Sequence, residues 1–238
     1  MKKVLILGSD GFLGNALLKE LNKKNFFLSV DGTSRRRKKI FFDFSQKNLI
    51  NFNKYDVVVI AAAITDIDFC EKNKKLCKEI NYKLTVDILK KIKNSGCFVV
   101  FISSNAVFDG SKQFYTIKNK KNPKTFYGKS KSLVEDWIIA KKFNQCCILR
   151  FTKILPLNFK SFYIKKWQTE IKKKKNLLIN KNHYISPISI SEAVDSVRKC
   201  ILRNKTGIFQ KGGKKEFSYY EFAKKICFKQ KLFDNIKF

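Results

Sequence analysis

Short apolar runs alternate with amphipathic stretches from the beginning of the sequence. Val4 to Leu7, Asp56 to Ala63 and Cys97 to Ile102 are largely apolar, as expected for strands buried on both faces of a sheet. Between these runs, apolar residues recur at helical spacing, which predicts helices that cover the sheet. The further predicted strands are Phe26 to Val30, Ile40 to Phe42 and Cys146 to Phe151, and the predicted helices are Phe12 to Lys23, Cys77 to Lys93 and Thr125 to Lys142.

This alternation of strand and helix predicts an α/β protein with a doubly wound, parallel Rossmann sheet and right-handed crossovers. After about residue 152 the alternation weakens, although helical patterns recur at Trp167 to Lys175, at Ser191 to Leu202 and from Tyr219 onward. We therefore expect a dinucleotide-binding Rossmann domain over residues 1–151. A small, reduced C-terminal substrate lobe is expected over residues 152–238, partly interleaved with the Rossmann body.

The composition argues against several classes of protein. Of the 238 residues, 44% are hydrophobic, which is enough for one sizeable core, but no apolar run approaches the roughly 20 residues that span a bilayer. Gly8 cuts the first apolar run too early for a signal peptide, so we expect a cytoplasmic protein without a membrane span. The seven cysteines form no C-x-x-C pair, which argues against a zinc site or disulfide framework and favours buried free thiols.

The net charge of +32 at pH 7 is the most unusual bulk property. Such a charge can indicate binding to nucleic acid or to an anionic surface. The lysines, however, are spread along the whole chain, and the densest runs, Arg35 to Lys39 and Lys172 to Lys175, are short. This spread favours a general attraction for phosphate-bearing ligands over a nucleic-acid interface.

Three glycines with the spacing G-x-x-G-x-x-G follow the first predicted strand. Glycines between a strand and a helix allow a close approach of the backbone to a pyrophosphate, and the helix N-terminus stabilises its charge. The strand before the motif and the helix after it supply the context that a lone glycine triplet lacks. The residues expected to contact a dinucleotide in this loop are Gly8, Asp10, Gly11, Phe12, Leu13 and Gly14.

The residue that follows the second strand distinguishes the two nicotinamide dinucleotides. An acidic residue there binds the ribose of NAD, whereas a nearby arginine accommodates the 2′-phosphate of NADP. We place Thr33 at this position. It is followed by Ser34, Arg35 and Arg36, and the two guanidinium groups favour NADP(H). With a strand register shifted by two residues, Asp31 would be the ribose ligand, so the sequence leaves NAD open.

Tyr127 and Lys131 are four residues apart in a predicted helix, so their side chains share one face. An ammonium group stabilises a nearby phenolate. We therefore expect Lys131 to lower the pKa of Tyr127 and to let it exchange a proton with a sugar oxygen near neutral pH. The same lysine can hold the nicotinamide ribose. Ser104, at the end of the preceding strand, is the candidate for a hydrogen bond to the substrate oxygen.

Four segments carry a resemblance to a known family, and they are Gly8 to Gly14, Ile60 to Ala63, Ser103 to Gly110 and Tyr127 to Lys131. Together they resemble the extended short-chain dehydrogenases/reductases, above all the dTDP-4-dehydrorhamnose reductases and their sugar-nucleotide relatives. The resemblance is good over residues 1–151 and weaker after them.

The resemblance implies a set of site residues. By it, Ser104, Tyr127 and Lys131 match the catalytic triad of the family, and Lys131 also belongs to the cofactor site. The residues that the resemblance adds around the cofactor are Ala61, Ala62 and Ala63 along the dinucleotide, with Asp43 and Phe44 beside the adenine.

The chain departs from the family pattern in three places. Asn105 and Ala106 stand where dehydratases carry an acidic pair, which disfavours dehydration. Tyr115 to Lys118 stands where reductases usually carry an acidic residue. The chain ends at Phe238, early for the family, which is why we expect the substrate lobe to be reduced.

The sequence therefore favours an NADP(H)-dependent reductase of a keto group on a nucleotide-activated deoxysugar, with Tyr127 as the proton donor. One alternative is an epimerase that uses the same residues with tightly bound NAD. Another is a non-catalytic protein that keeps the fold and the cofactor as a regulatory subunit. A nucleotide sugar is the expected partner and nucleic acid is not, while the oligomeric state is open, with a homodimer as one choice.

Overall fold

The structure is a computed structural model, and it describes residues 1–23, 27, 29–35, 40–41, 50–156, 169 and 182–229. The chain divides into two compact units. The first comprises Met1–Phe151 with Val194–Lys211, and the second comprises Thr152–Ala193 with Gly212–Phe238. No helix among the described residues has both the length and the apolar run that crossing a bilayer requires.

A six-stranded sheet forms the centre of the first unit. Numbered in chain order, its strands are β1 (Lys3–Leu7), β2 (Ser29–Gly32), β3 (Val57–Ile60), β4 (Phe98–Ser104), β5 (Cys146–Phe151) and β9 (Gly207–Lys211). Their order in the sheet is β2-β1-β3-β4-β5-β9, and every pairing is parallel. The predicted doubly wound, parallel α/β fold is thereby confirmed.

Helices connect and cover these strands. They are α1 (Phe12–Asn22), α2 (Ile67–Lys72), α3 (Lys74–Lys78), α4 (Thr85–Ser95), α5 (Phe126–Ala140) and α6 (Ile190–Leu202), the last of which belongs to this unit from Val194 onward. The core lies between the sheet and α4 and α5, where Leu89 and Ile92 of α4 and Val134 and Ile138 of α5 join the strand residues. Each such fully buried aliphatic side chain contributes roughly 1.5–3 kcal/mol relative to exposure.

The sheet order creates a crevice beside β1. The strand β1 has β2 on one side and β3 on the other, so the direction of chain progression through the sheet reverses there. The amide of Ala61 donates to the carbonyl of Leu7 at 3.0 Å, which extends the pairing of β1 with β3 past the end of both strands. In parallel sheets, ligands bind outside the carboxyl ends of the strands at such a reversal.

Two of the predicted strands differ from the observed ones. The strand β2 begins at Ser29 and ends at Gly32, later than the predicted Phe26 to Val30, because its pairing with β1 sets its limits. The predicted strand from Ile40 to Phe42 is, within the described residues, an isolated bridge between Ser34 and Phe41. Phe42 itself lies outside the described residues.

The predicted helix Cys77 to Lys93 is interrupted. Between α3 and α4 the segment Glu79–Leu84 forms a π-helical turn, in which the hydroxyl of Thr85 donates to the carbonyl of Ile80 at 3.0 Å. A π turn inserts an extra residue into a helix and shifts its buried face, so Asn81 and Thr85 are buried while Ile80 and Leu84 are half-buried. The apolar residues recur every four positions, and this spacing predicted one uninterrupted helix. The observed strand β3 ends at Ile60, so it is shorter than the predicted strand Asp56 to Ala63.

The second unit contains two small sheets. Its strands and helix are β6 (Ile154–Leu155), β7 (Tyr184–Ile185), β8 (Ile188–Ser189), β10 (Phe217–Ser218) and α7 (Tyr219–Lys229). The strand β6 pairs parallel with β8, and β7 pairs antiparallel with β10. The predicted helix Trp167 to Lys175 lies outside the described residues, apart from residue 169.

Candidate functional site

The three glycines between β1 and α1 lack side chains for different reasons. Gly8 has a φ of +87°, and a Cβ there would lie 2.7 Å from the Cα of Ala62. A Cβ on Gly14 would lie 2.2 Å from the carbonyl oxygen of Gly8. By contrast, Gly11 has an ordinary φ of −73°, and a Cβ there would meet only the Gly8 oxygen, at 3.3 Å. Internal packing therefore explains Gly8 and Gly14, whereas at Gly11 a methyl group could be added with a small adjustment.

Gly11 is also the N-cap residue of α1 and supplies no side-chain oxygen to the first amides of that helix. The free N–H groups of a helix N-terminus bind anions, and the helix dipole favours negative charge there. The loop therefore has room and donors for a pyrophosphate in front of α1. Asp10, Phe12 and Leu13 flank this position, and the first two are exposed.

Thr33 connects the end of β2 to the glycine loop. It directly follows Gly32, is buried, and its hydroxyl accepts a hydrogen bond from the amide of Gly8 at 3.1 Å. Its carbonyl accepts hydrogen bonds from the amide and the hydroxyl of Ser9, at 3.1 and 2.8 Å. Thr33 thus holds the loop in position, and its side chain is directed to the loop backbone.

The side chains at the end of β2 and after it differ in their contacts. Asp31 lies within β2, and its carboxylate accepts a hydrogen bond from the hydroxyl of Tyr55 at 3.1 Å, so it does not stand at the strand end. Ser34 is buried and donates to Asp10, while Arg35 is exposed. Three further predicted cofactor residues, Arg36, Asp43 and Phe44, lie outside the described residues.

The loop after β3 forms the other wall of the crevice. Ala61, Ala62 and Ala63 are half-buried there, and Ala62 lies against Gly8. Asn81, from the π-helical turn, holds this loop: its amide nitrogen donates to the carbonyl of Ile64, and its oxygen accepts from the Ile64 amide, both at 2.8 Å. The sequence reasoning missed Asn81. The signal that could have identified it is an asparagine inside a helix predicted from apolar periodicity, because a buried side-chain amide needs hydrogen-bond partners.

Ser104 and Tyr127 meet because α5 begins very close to the end of β4. A Cβ on Gly128 would lie 2.0 Å from the carbonyl oxygen of Ala106, so only glycine allows the first turn of α5 to approach this closely. The hydroxyl of Thr125 caps the helix by accepting from the Gly128 amide at 3.1 Å. In this arrangement the phenol of Tyr127 lies close enough to the hydroxyl of Ser104 for Ser104 to affect its pKa.

The pKa of Tyr127 is raised to about 12, mainly because of burial, and the neighbouring Ser104 hydroxyl lowers it only in part. The expectation that Lys131 lowers this pKa is therefore wrong for this structure. The ammonium of Lys131 donates instead to the carbonyl of Ile102 at 2.9 Å, and it lies 4.8 Å from the centre of the Phe101 ring. At neutral pH the phenol is protonated.

Lys131 is itself 4% exposed. Burial lowers its pKa to about 8, and the charge of Glu135, one helical turn later, opposes that decrease. The ammonium is therefore charged below a pH of about 8 and becomes neutral above it. A protonated phenol, a hydroxyl and an ammonium thus converge at the end of β4, two strands from β1.

Over residues 1–235 the chain matches the model of the family described as the RmlD substrate binding domain. The chain belongs to this family. The resemblance to dTDP-4-dehydrorhamnose reductases that the sequence motifs indicated is thereby confirmed.

Solved structures agree with the fold of this RmlD-family chain. The crystal structure of a dTDP-4-dehydrorhamnose reductase from Clostridium acetobutylicum has 26% identity and a TM-score of 0.81, covering 99% of this chain and 82% of that one. That of a dTDP-4-dehydrorhamnose reductase from Bacillus anthracis in complex with NADP has 23% identity and a TM-score of 0.82, covering 99% of this chain and 83% of that one.

A curated relative of another description matches part of the chain. Methionine adenosyltransferase 2 subunit beta from Bos taurus is 33% identical over 139 residues, which is 55% of this chain. The match spans 40% of the length of that relative.

The RmlD-family site is equipped for proton transfer to an oxygen atom. Among the described residues, no group of three or more His, Cys, Asp or Glu side chains could hold a metal ion. The groups at the end of β4 carry or exchange protons, and the glycine loop follows β1 at the same edge of the sheet.

Proposed function

We propose that this chain is an NADP(H)-dependent reductase of a keto group on a nucleotide-activated deoxysugar, with dTDP-4-dehydrorhamnose as the model substrate. The observation that carries the proposal is the convergence of Ser104, Tyr127 and Lys131 at the end of β4. This triad lies on the same edge of the sheet as the glycine loop after β1 and the alanine loop after β3.

In the proposed reaction the glycine loop and Lys131 would hold NADPH, which would supply a hydride to the carbonyl carbon. Tyr127 donates the phenol proton to the carbonyl oxygen, so that the C=O bond becomes CH–OH and the phenolate is later reprotonated from solvent. Ser104 donates a hydrogen bond to the same oxygen and orients it. Lys131, whose ammonium is charged below a pH of about 8, would hold the nicotinamide ribose by hydrogen bonds.

Two kinds of observation support NADP over NAD. In the chain itself, the carboxylate of Asp31 lies within β2 and accepts a hydrogen bond from Tyr55. Arg35 follows the strand, and a guanidinium group suits the 2′-phosphate of NADP. Among the structures of similar fold, the Bacillus anthracis reductase is described in complex with NADP.

The direct test is to incubate the purified full chain with NADPH and a dTDP-4-keto-6-deoxysugar. We expect the NADPH absorbance to decrease and one reduced sugar nucleotide to form, with a slower reaction for NADH. The matched control is the corresponding dTDP-sugar without a keto group. If no such keto sugar oxidises NADPH, the reductase proposal is wrong, and sugar conversion without net NADPH oxidation would indicate the epimerase.

The glycine loop permits a separate test of cofactor binding. We expect Gly11→Ala to raise the NADPH dissociation constant about tenfold, or ~1.4 kcal/mol, because the proposed pyrophosphate lies against this backbone. The effect on stability should be small, since the added Cβ would meet only the Gly8 oxygen, at 3.3 Å. In Gly14→Ala the added Cβ would meet the Gly8 oxygen at 2.2 Å. That variant should lose about 1–3 kcal/mol of stability through overpacking. Fluorescence titration with NADPH and chemical denaturation would separate the two effects, and equal NADPH affinity in Gly11→Ala and the wild type would contradict a pyrophosphate at this loop.

The preference for NADP provides another prediction. We expect Arg35→Ala to weaken NADPH binding roughly 10- to 100-fold while leaving NADH binding nearly unchanged, since a charge-assisted hydrogen bond to the 2′-phosphate contributes about 1.5–3 kcal/mol. Arg203→Ala, which removes an equal charge from another exposed position, is the control. An equal loss for both dinucleotides would assign Arg35 to general charge attraction.

A second candidate function is a cofactor-binding subunit without catalysis. The match to methionine adenosyltransferase 2 subunit beta over 139 residues favours it. If the chain is such a subunit, we expect it to bind NADPH without turning over any keto sugar. We also expect its cellular function to survive Tyr127→Phe.

A further inference from the structure

A fully buried carboxylate lies one helical turn beyond Lys131. The side chain of Glu135 is 0% exposed, and four residues along α5 place it on the same face as Lys131. A buried carboxylate without partners is very costly, so its contacts determine what it does.

Arg150 clamps this carboxylate. From β5, its Nε donates to Oε1 of Glu135 at 2.9 Å and its Nη2 donates to Oε2 at 2.6 Å. The hydroxyl of Ser103 donates to Oε1 at 2.6 Å, and Nζ of Lys121 lies 3.3 Å from Oε2. Both carboxylate oxygens are thereby occupied, and the carboxylate is locked in one geometry.

Lys131 is left without a carboxylate of its own. Within the described part of the chain it forms no ion pair, and its ammonium donates to the carbonyl of Ile102. The groups that act on its charge are Glu135 from its own helix and the thiols Cys70 of α2 and Cys77 of α3. Among these, Glu135 is the carboxylate, and it is the charged neighbour that opposes the effect of burial most strongly.

We propose that Glu135 is a positioning residue that keeps Lys131 charged, while Arg150 prevents the carboxylate from pairing with that ammonium and withdrawing it from the site. Because Arg150 locks the carboxylate, Glu135 stabilises the ammonium by its charge alone. It does not accept the hydrogen bonds of Lys131, which stay available to a ligand. The contribution of this arrangement to catalysis rests on the proposed reductase function. Its effect on the charge of Lys131 does not depend on that function.

The direct test measures the titration of Lys131 in the full chain. With lysine labelled by ¹³C at Cε, the Lys131 signal is identified by its loss in Lys131→Met. We expect this signal to titrate with a midpoint at a pH of about 8 in the wild type, which distinguishes it from the signals of the exposed lysines. In Glu135→Gln the midpoint should fall by about one pH unit or more, because removal of a nearby negative charge disfavours the ammonium.

Matched variants separate this electrostatic role from a structural one. Asp136→Asn removes the adjacent carboxylate, which is 59% exposed and contacts the same Lys121 at 2.7 Å, and it should leave the midpoint unchanged. Glu135→Asp retains the charge and should restore most of the wild-type midpoint. If Glu135→Gln does not fold, the double variant Glu135→Met/Arg150→Met decides, because apolar replacement of a buried ion pair is often tolerated.

The same variants should change the pH profile of the reductase. Activity that needs charged Lys131 is present below its pKa and is lost as the pH rises through it. For a decrease of one pH unit in the midpoint, Glu135→Gln should therefore retain about one fifth of wild-type kcat at pH 8. An unchanged Lys131 midpoint in every folded variant that lacks the Glu135 charge overturns the inference. A shifted midpoint in a chain that reduces no keto sugar upholds the inference and refutes only the proposed function.

Discussion

Tyr127→Phe is expected to reduce NADPH-dependent conversion of a dTDP-4-keto-6-deoxysugar by about 100- to 10,000-fold, the range for loss of a positioned proton donor. Burial raises the pKa of this phenol to about 12, so it is protonated throughout the neutral range. Phenylalanine lacks the hydroxyl whose proton the proposed reaction transfers to the carbonyl oxygen. Steady-state kinetics should reveal the loss in kcat.

Two controls accompany that variant. Tyr82→Phe removes the hydroxyl of a tyrosine that packs against the core, and it should retain near wild-type activity. NADPH affinity and the denaturation midpoint of Tyr127→Phe should also match the wild type, since the ring and its packing remain. Turnover of Tyr127→Phe within tenfold of the wild type would assign the proton to another donor, contrary to the ~100-fold minimum expected for general acid catalysis.

Arg150→Met is expected to lower the free energy of unfolding by about 3–5 kcal/mol, because it leaves the buried carboxylate of Glu135 without its bidentate partner. The Arg150 side chain is 2% exposed and that of Glu135 is 0% exposed, so water cannot replace the lost hydrogen bonds. Urea denaturation at neutral pH measures this loss.

The ion pair itself need not be the source of that stability. The double variant Glu135→Met/Arg150→Met should be more stable than Arg150→Met alone, because neither residue is then left as an uncompensated charge. Lys90→Met, which breaks an exposed pair with Asp87, should cost less than about 1 kcal/mol and serves as the surface control. A loss below 1 kcal/mol for Arg150→Met would contradict the burial of the pair.

Local pattern predicted the elements that build the site. Continuous apolar runs at Val4 to Leu7 and Cys97 to Ile102 predicted central strands correctly, because a strand covered on both faces has few polar positions. The sequence pattern did not predict the limits of β2 or the existence of β9, because the extent of an edge strand depends on the strand it pairs with. The four residues of β2 are set by β1, and β9 joins the sheet only through β5.

The sequence by itself determined the alternation of strand and helix over residues 1–151, the glycine loop, and the presence of Ser104, Tyr127 and Lys131 in family order. These are properties of short segments, and periodicity and spacing record them directly. The tertiary structure decided where the charges act. The Lys131 ammonium is directed to Ile102, burial raises the pKa of Tyr127, and Glu135 is locked by Arg150, all through contacts between distant segments. Burial and electrostatic interaction depend on distances in space, which residue spacing along the chain does not specify.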